Sequence, residues 1–297
     1  MKRSTLFLAV SVAGLMAGGA AQAADCPEGG LRFGVEPHES AQRLLPVYTD
    51  LSKMVGDKVG CPVQLFVATS YTAEIEAMRN GKLEIGEFGP LGYVLAHQVA
   101  KAEAIASFGD KDGKPSSYYA SIVTWPGSGI DKLADVKGKS FAFSDPASTS
   151  GHLFPAFGLS KNGIDPDADI KAIYAGSHTA SFEALRNHKV LAGELNNEEI
   201  ASAKLHNEYD DTAYITLWKS EPIPIDPLCI RGDLDPAFKA KLAKVLSSLD
   251  LHELPEDDQK FLAANEDPAL KTVPQDDSAY NQIRDLVSTL KVDLSKL

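Results

Sequence analysis

Short apolar runs alternate with longer amphipathic stretches over most of the chain. Leu31 to Val35, Val63 to Val67, Leu83 to Gly86 and Ala104 to Ala106 read as strands, whereas Gln42 to Met54, Thr72 to Arg79 and Leu91 to Ala100 carry apolar residues at helical spacing. Strands and helices in alternation predict a parallel α/β sheet. A second run of the same kind follows Tyr118 to Trp125. It holds a short helix from Ile130 to Val136, strands at Ser140 to Phe143, Ile170 to Tyr174, Val190 to Ala192 and Ala213 to Trp218, and a helix at Thr179 to Arg186. From Asp235 onward the pattern is helical and acidic, over Pro236 to Ser248, Glu256 to Asn265 and Ser278 to Leu290. These helices are expected to pack back on the first unit.

An internal repeat ties the two runs together. Ser70 to Glu87 aligns without gaps on Ser177 to Glu194, with ten of eighteen positions identical and four more apolar in both copies. Two similar helix-strand units, one per run, imply two lobes of one architecture. In such sheets ligands sit beyond the carboxyl ends of the strands, so the post-strand loops of both lobes face a shared cleft. Tyr71 and His178 occupy corresponding helix starts in the repeat. The plain alternatives are that Tyr71 caps its own helix and that His178 is an ordinary surface residue.

The second run contains Ser148-Thr149-Ser150-Gly151 between the strand Ser140 to Phe143 and a short helix at Leu153 to Leu159. Hydroxyls beside the unpaired N–H groups of a helix's first turn form an anion seat, which the helix dipole reinforces. One hydroxyl would suffice for an ordinary N-cap. Three in a row with a glycine point to a ligand.

The N-terminus changes where the chain is expected to work. Met1-Lys2-Arg3, an apolar run from Leu6 to Ala20 and Ala21-Gln22-Ala23 have the layout of a secretory signal peptide over residues 1–23, with cleavage near Ala23. Lipid attachment at Cys26 is a lesser alternative, because Asp25 stands where a small residue is expected. The chain of 297 residues has a formal net charge of −12, which argues against nucleic acid and anionic lipid as partners. Of the 3 cysteines, Cys26 and Cys61 precede neighbouring strands and are expected to form a disulfide in an oxidising compartment, with Cys229 packed in a strand.

No metal-ligand spacing, nucleotide-binding glycine loop or nucleophile elbow occurs, so no cofactor is expected. A hydrolase built on one of Ser148 to Ser150 with His178 as base would lack an orienting third group.

Ser148-Thr149-Ser150-Gly151 after Asp145-Pro146, Gly176-Ser177-His178, the Asn196-Asn197-Glu198-Glu199 loop and Pro222 to Pro227 together resemble the phosphonate-binding periplasmic proteins of ABC importers. The resemblance runs from Phe33 to about Leu234. It implies a type II periplasmic binding fold, with two α/β lobes joined by two crossover strands near Ser121 to Trp125 and Leu228 to Arg231. One lobe would comprise residues 24–120 and 231–297, the other residues 121–230. It further implies that Ser148, Thr149 and Ser150 hold phosphonate oxygens with Tyr71 and His178, and that Glu199 and Asp226 receive the amine of 2-aminoethylphosphonate. A one-residue shift would give the part of Glu199 to Glu198. Phe88 stands at a ligand position where an aromatic hydroxyl is common in the family. The implied partners are a phosphonate and an inner-membrane permease, with the protein itself a monomer and not an enzyme. A receptor for phosphite or another small phosphorus oxyanion, and a ligand-sensing partner of a membrane signalling protein, are the alternatives.

Overall fold

The structure, a computed structural model, describes residues 26–263 and 268–292. The expected leader and the end of the helix expected at Glu256 to Asn265 lie outside the described residues.

The first part of the chain alternates β1 (Leu31–Val35), α1 (Ala41–Val59), β2 (Val63–Val67), α2 (Tyr71–Arg79), β3 (Ile85–Glu87), α3 (Pro90–Ala100) and β4 (Ala102–Asp110). A short strand β5 (Ser117–Tyr118) leads into β6 (Ala120–Thr124), β7 (Ser140–Phe143), α4 (Phe154–Lys161), β8 (Lys171–Tyr174), α5 (His178–Arg186), β9 (Ala192–Asn196), α6 (Asn197–Leu205) and β10 (Ile215–Lys219). The chain returns through β11 (Ile223–Pro224) to β12 (Pro227–Arg231), α7 (Pro236–Leu246), α8 (Glu256–Leu262), β13 (Pro268–Pro274) and α9 (Asn281–Leu290).

Among the described residues two large sheets result, ordered β13-β4-β12-β3-β1-β2 and β10-β6-β9-β7-β8, besides the two-stranded ladder β11-β5. Apart from the edge strand β13, they share one plan. Three parallel strands (β2-β1-β3 and β8-β7-β9) are followed by an antiparallel strand and then by an outer strand antiparallel to that one. In each sheet the first antiparallel member, β12 or β6, is the strand arriving from the other lobe.

The repeated residues do the same work in both lobes. Ser70 and Ser177 cap α2 and α5 by accepting from the N–H groups of Ala73 and Ala180 at 3.1 and 3.0 Å. Asn80 and Asn187 close the same helices by donating from Nδ2 to the carbonyls of Glu76 and Glu183 at 2.7 and 2.9 Å.

The chain crosses between the sheets slightly before the expected positions. Ser121 to Thr124 and Leu228 to Arg231 are parts of β6 and β12, and the crossing segments carry β5 and β11, paired antiparallel through Tyr118 and Ile223. Two further expectations are corrected. The tail is not wholly helical, since β13 pairs with β4, and Asn197 to Glu199 begin helix α6 instead of forming a loop. The helix expected over Ile130 to Val136 is a 3-10 turn at Leu133–Val136.

Apolar side chains cover both faces of each sheet. On the first, Leu44, Tyr48 and Leu51 of α1 pack with Phe238 and Leu242 of α7 on one side, and α2, α3 and α9 cover the other through residues such as Ile75, Val94 and Ile283. The C-terminal helices thus return to the first lobe, as expected. Cys26 and Cys61 form a disulfide across 5.7 Å between Cα atoms, joining the starts of β1 and β2. Cys229 is free and buried in β12.

Candidate functional site

The cleft lies where the carboxyl ends of β1, β3, β7 and β9 approach one another, and its walls combine residues of both lobes with Asp226 from the second crossing. Tyr71, Ser148, Thr149, Ser150, His178, Glu199 and Asp226 all line it.

The hydroxyl row follows β7. Asp145 folds the loop by accepting from the N–H of Ala147 at 2.8 Å, and Ser148 caps the next turn by accepting from the N–H of Gly151 at 3.0 Å. That turn, Thr149–Leu153, is wound as a π-helix before α4 begins. Gly151 is required there, because a Cβ would lie 1.7 Å from Ser144 Oγ. The first N–H groups of the turn have no intrahelical acceptor. Thr149 reaches the opposite lobe, its Oγ1 accepting from the N–H of Leu91 in the first turn of α3 at 2.8 Å.

His178, at the first turn of α5, is buried. Its Nδ1 is held against both carboxylate oxygens of Glu194 at 3.0 and 3.1 Å, while Nε2 lies 3.4 Å from the hydroxyls of Ser148 and Ser150. Burial alone would depress the imidazole pKa, but Glu194, with the charges of Glu198 and Glu39, outweighs it and the value is raised. At the end of β9, Asn196 donates from Nδ2 to Ser150 Oγ at 3.1 Å and caps α6 by accepting from the N–H of Glu199 at 2.7 Å. This end of the cleft is rich in donors and holds an imidazole whose protonated form is favoured, which suits an oxyanion.

The opposite end is acidic. Asp226, Glu87 and Glu198 all line the cleft. Burial first, then the neighbouring charges of Glu198 and Glu87, push Asp226 far above the usual carboxylate range. Burial also takes Glu87 up to about 8, against the opposing hydrogen bond from Tyr48, whose hydroxyl donates to Oε1 at 3.0 Å. Tyr118 stands between the two ends, its hydroxyl interacting with Ser150 and with Asp226. Among the described residues, no lysine or arginine lines the cleft.

Glu199 is placed differently from Glu198. It sits beside Glu39 of the first lobe, with Oε2 accepting from Thr179 Oγ1 at 3.3 Å, and burial followed by the charge of Glu39 lifts it to about 9. Glu39 itself accepts from Thr179 and Ser202 of the second lobe, while Arg43 bridges Glu39 and Glu208. The backbone N–H of His178 donates to the carbonyl of His38 at 3.0 Å. Glu199 therefore lines the cleft and also takes part in the contact between the lobes.

Phe88 does not line the cleft. Its side chain is fully buried in the core, against Gly86, where a Cβ would lie 2.6 Å from the ring. Alternation along the strand gives the cleft to Glu87 and the core to Phe88. The cleft-lining residues Tyr48 and Tyr118 were not singled out from sequence, while Glu87 and Asn196 stood only as members of post-strand loops. For Glu87 a signal existed, since the repeat aligns it with Glu194, whose carboxylate holds His178.

Two lobes of one plan, joined by two crossings and enclosing a polar cleft, define a type II periplasmic binding protein. The family model described as the periplasmic substrate-binding protein of phosphonate ABC transporters matches residues 33–280, and the chain belongs to this family. Family members are binding proteins, not enzymes. The chain is 30% identical over 220 residues to the phosphonates-binding periplasmic protein of Escherichia coli, a match covering 72% of this chain but 64% of that protein's length. It is 28% identical over 263 residues to a phosphate-import protein of Mycolicibacterium smegmatis, covering 84% of this chain and 82% of the relative. Among solved structures, the binding-protein component of a phosphonate ABC transporter from Pseudomonas aeruginosa superposes with a TM-score of 0.75 at 28% identity, covering 86% of this chain and 84% of that one.

Proposed function

We propose that the protein captures 2-aminoethylphosphonate in the periplasm, as a monomer, and delivers it to an ABC permease. The phosphonate accepts hydrogen bonds from Ser148, Thr149, Ser150, Tyr71 and the Nε2 of His178, with Tyr118 beside them. Thr149 keeps its O–H proton for the ligand, because its contact with Leu91 uses the oxygen only as acceptor. The ammonium meets Asp226 and Glu198. Glu199 is left to the contact between the lobes, where it meets Glu39 and Thr179.

One observation carries this reading. Buried carboxylates and a row of hydroxyls share one cleft that, among the described residues, no lysine or arginine lines. Buried acids without a cationic partner are costly unless protonated or matched by a ligand. A zwitterion with a phosphonate at one end and an ammonium at the other complements both ends. Charge-assisted hydrogen bonds contribute about 1.5 to 3 kcal/mol each, so five or six outweigh the cost of association and support micromolar binding or tighter, about −8 kcal/mol.

Titration calorimetry with 2-aminoethylphosphonate, methylphosphonate, phosphite and phosphate tests the assignment. The amine-bearing ligand is expected to bind tightest. Tighter binding of phosphate or phosphite would favour a second reading, in which Asp226 accepts the proton of a P–O–H group. The mycobacterial relative named for phosphate import gives that reading its own support.

A further inference from the structure

The repeat aligns Glu87, the last residue of β3, with Glu194 in the middle of β9, yet their partners differ. In the second lobe Glu194 has both oxygens against the imidazole of His178 and favours its protonated form. In the first lobe the residue equivalent to His178 is Tyr71, which brings no charge. The Oε1 of Glu87 receives only the Tyr48 phenol, and its Oε2 is buried with no hydrogen-bond partner. The side chain is 6% exposed and lines the cleft beside Asp226 and Glu198.

From this we infer that Glu87 is a third acceptor for the ligand's ammonium group, and that it selects a primary amine. The inference rests on the proposed amine-bearing ligand. A primary ammonium carries three N–H donors. Asp226, Glu198 and Glu87 supply one acceptor for each, so the ligand takes the place that His178 holds beside Glu194. N-methylation removes a donor and leaves a buried carboxylate oxygen unpaired, which is the kind of difference a polar site discriminates strongly.

The charge accounting gives a second observable. Glu87 faces Tyr48 of α1, Glu74 of α2, Glu198 of α6, and Asp226 and Cys229 at β12, none of them cationic. The burial that lifts it to about 8 keeps it protonated at neutral pH in the absence of a cation. An arriving ammonium favours the carboxylate, so binding at pH 7 transfers the Glu87 proton to the buffer while the ligand nitrogen keeps its own three.

The test is calorimetry on wild type and Glu87→Gln, with 2-aminoethylphosphonate, its N-methyl derivative and methylphosphonate, each in two buffers of different ionisation enthalpy. Wild type is expected to prefer the primary amine to the N-methyl form by about tenfold or more and to release protons on binding it. Glu87→Gln is expected to lose about 10- to 100-fold in affinity for 2-aminoethylphosphonate, the range of one charge-assisted hydrogen bond, with the Glu87 share of the proton release lost, that of Asp226 kept, and methylphosphonate affinity retained. Tyr48→Phe removes the bond that holds the Glu87 pKa down, and is expected to move the onset of tight amine binding to higher pH. Equal weakening of all ligands in Glu87→Gln, or unchanged amine affinity and proton release, would overturn the role of Glu87 while leaving the amine-binding reading intact. A wild-type preference for methylphosphonate would overturn both.

Discussion

The imidazole of His178 and the carboxylate of Glu194 form a buried pair, Nδ1 lying 3.0 and 3.1 Å from the two oxygens, with Nε2 turned toward the hydroxyl row. The pair fixes which nitrogen meets the ligand. As an imidazolium, Nε2 donates to an oxyanion; once neutral, with the remaining proton on Nδ1 toward Glu194, it presents a lone pair instead. Because the pKa of His178 is raised, the donating form persists above the ordinary histidine range and is lost as pH rises through the raised value. Affinity for a phosphonate is therefore expected to fall at alkaline pH. In Glu194→Gln the fall should begin at lower pH, with roughly tenfold weaker binding at pH 7. Titration of the His178 ring nitrogens by NMR, beside calorimetry over pH 6 to 9, checks both parts.

The buried acids make ligand-free stability depend on pH in an unusual direction. Glu36, Glu74, Glu87, Glu199 and Asp226 all have carboxyl pKa values raised by burial, with Glu87 at about 8 and Glu199 at about 9. A raised carboxyl favours the folded state fully below its unfolded pKa, and that favour is lost as pH climbs through the folded pKa. The melting temperature of the ligand-free protein should accordingly decline from about pH 5 to about pH 9. Glu199→Gln should flatten the upper part of the decline, since it removes the acid facing Glu39 between the lobes. Thermal scans across this range, with a profile that rises toward pH 9 as the contrary outcome, settle the sign.

Much of this arrangement was legible in the residues, and for physical reasons. The repeat from Ser70 to Glu87 foretold two sheets of one plan because its shared serines and asparagines cap helices, and caps are local. Ser148 to Ser150 stood out because their backbone turn and their side-chain chemistry lie in one short segment. What depended on contacts distant in sequence was harder to read. β13 is an edge strand whose pairing with β4 is irregular, so little alternation marks it. α6 opens on polar residues and lacks a strong apolar stripe, so Asn197 to Glu199 read as loop. Tyr118 reaches the cleft only because β5 pairs with β11 at the crossing, more than a hundred residues away.

The disulfide lies at the other end of its sheet from the ligand. Cys26 and Cys61 precede β1 and β2, whereas the cleft forms where β1 and β3 end. With a sequence separation of 35, the bridge is expected to stabilise the fold by about 3 to 4 kcal/mol through loop-closure entropy. Replacing both cysteines by serine should lower stability in urea by that amount and leave ligand affinity within about twofold. A loss of affinity matching the loss of stability would mean that the bridge shapes the cleft.

The central claim is that one ligand lies with its phosphonate on Ser148 to Ser150 and its ammonium among the acids. A crystal structure with 2-aminoethylphosphonate tests it most directly. The expected result is a phosphorus atom whose oxygens are within hydrogen-bond distance of the three hydroxyls and of His178 Nε2, and a nitrogen within reach of Asp226 and Glu198. A phosphonate seated away from residues 148–150, or a nitrogen turned from Asp226 toward solvent, would contradict it.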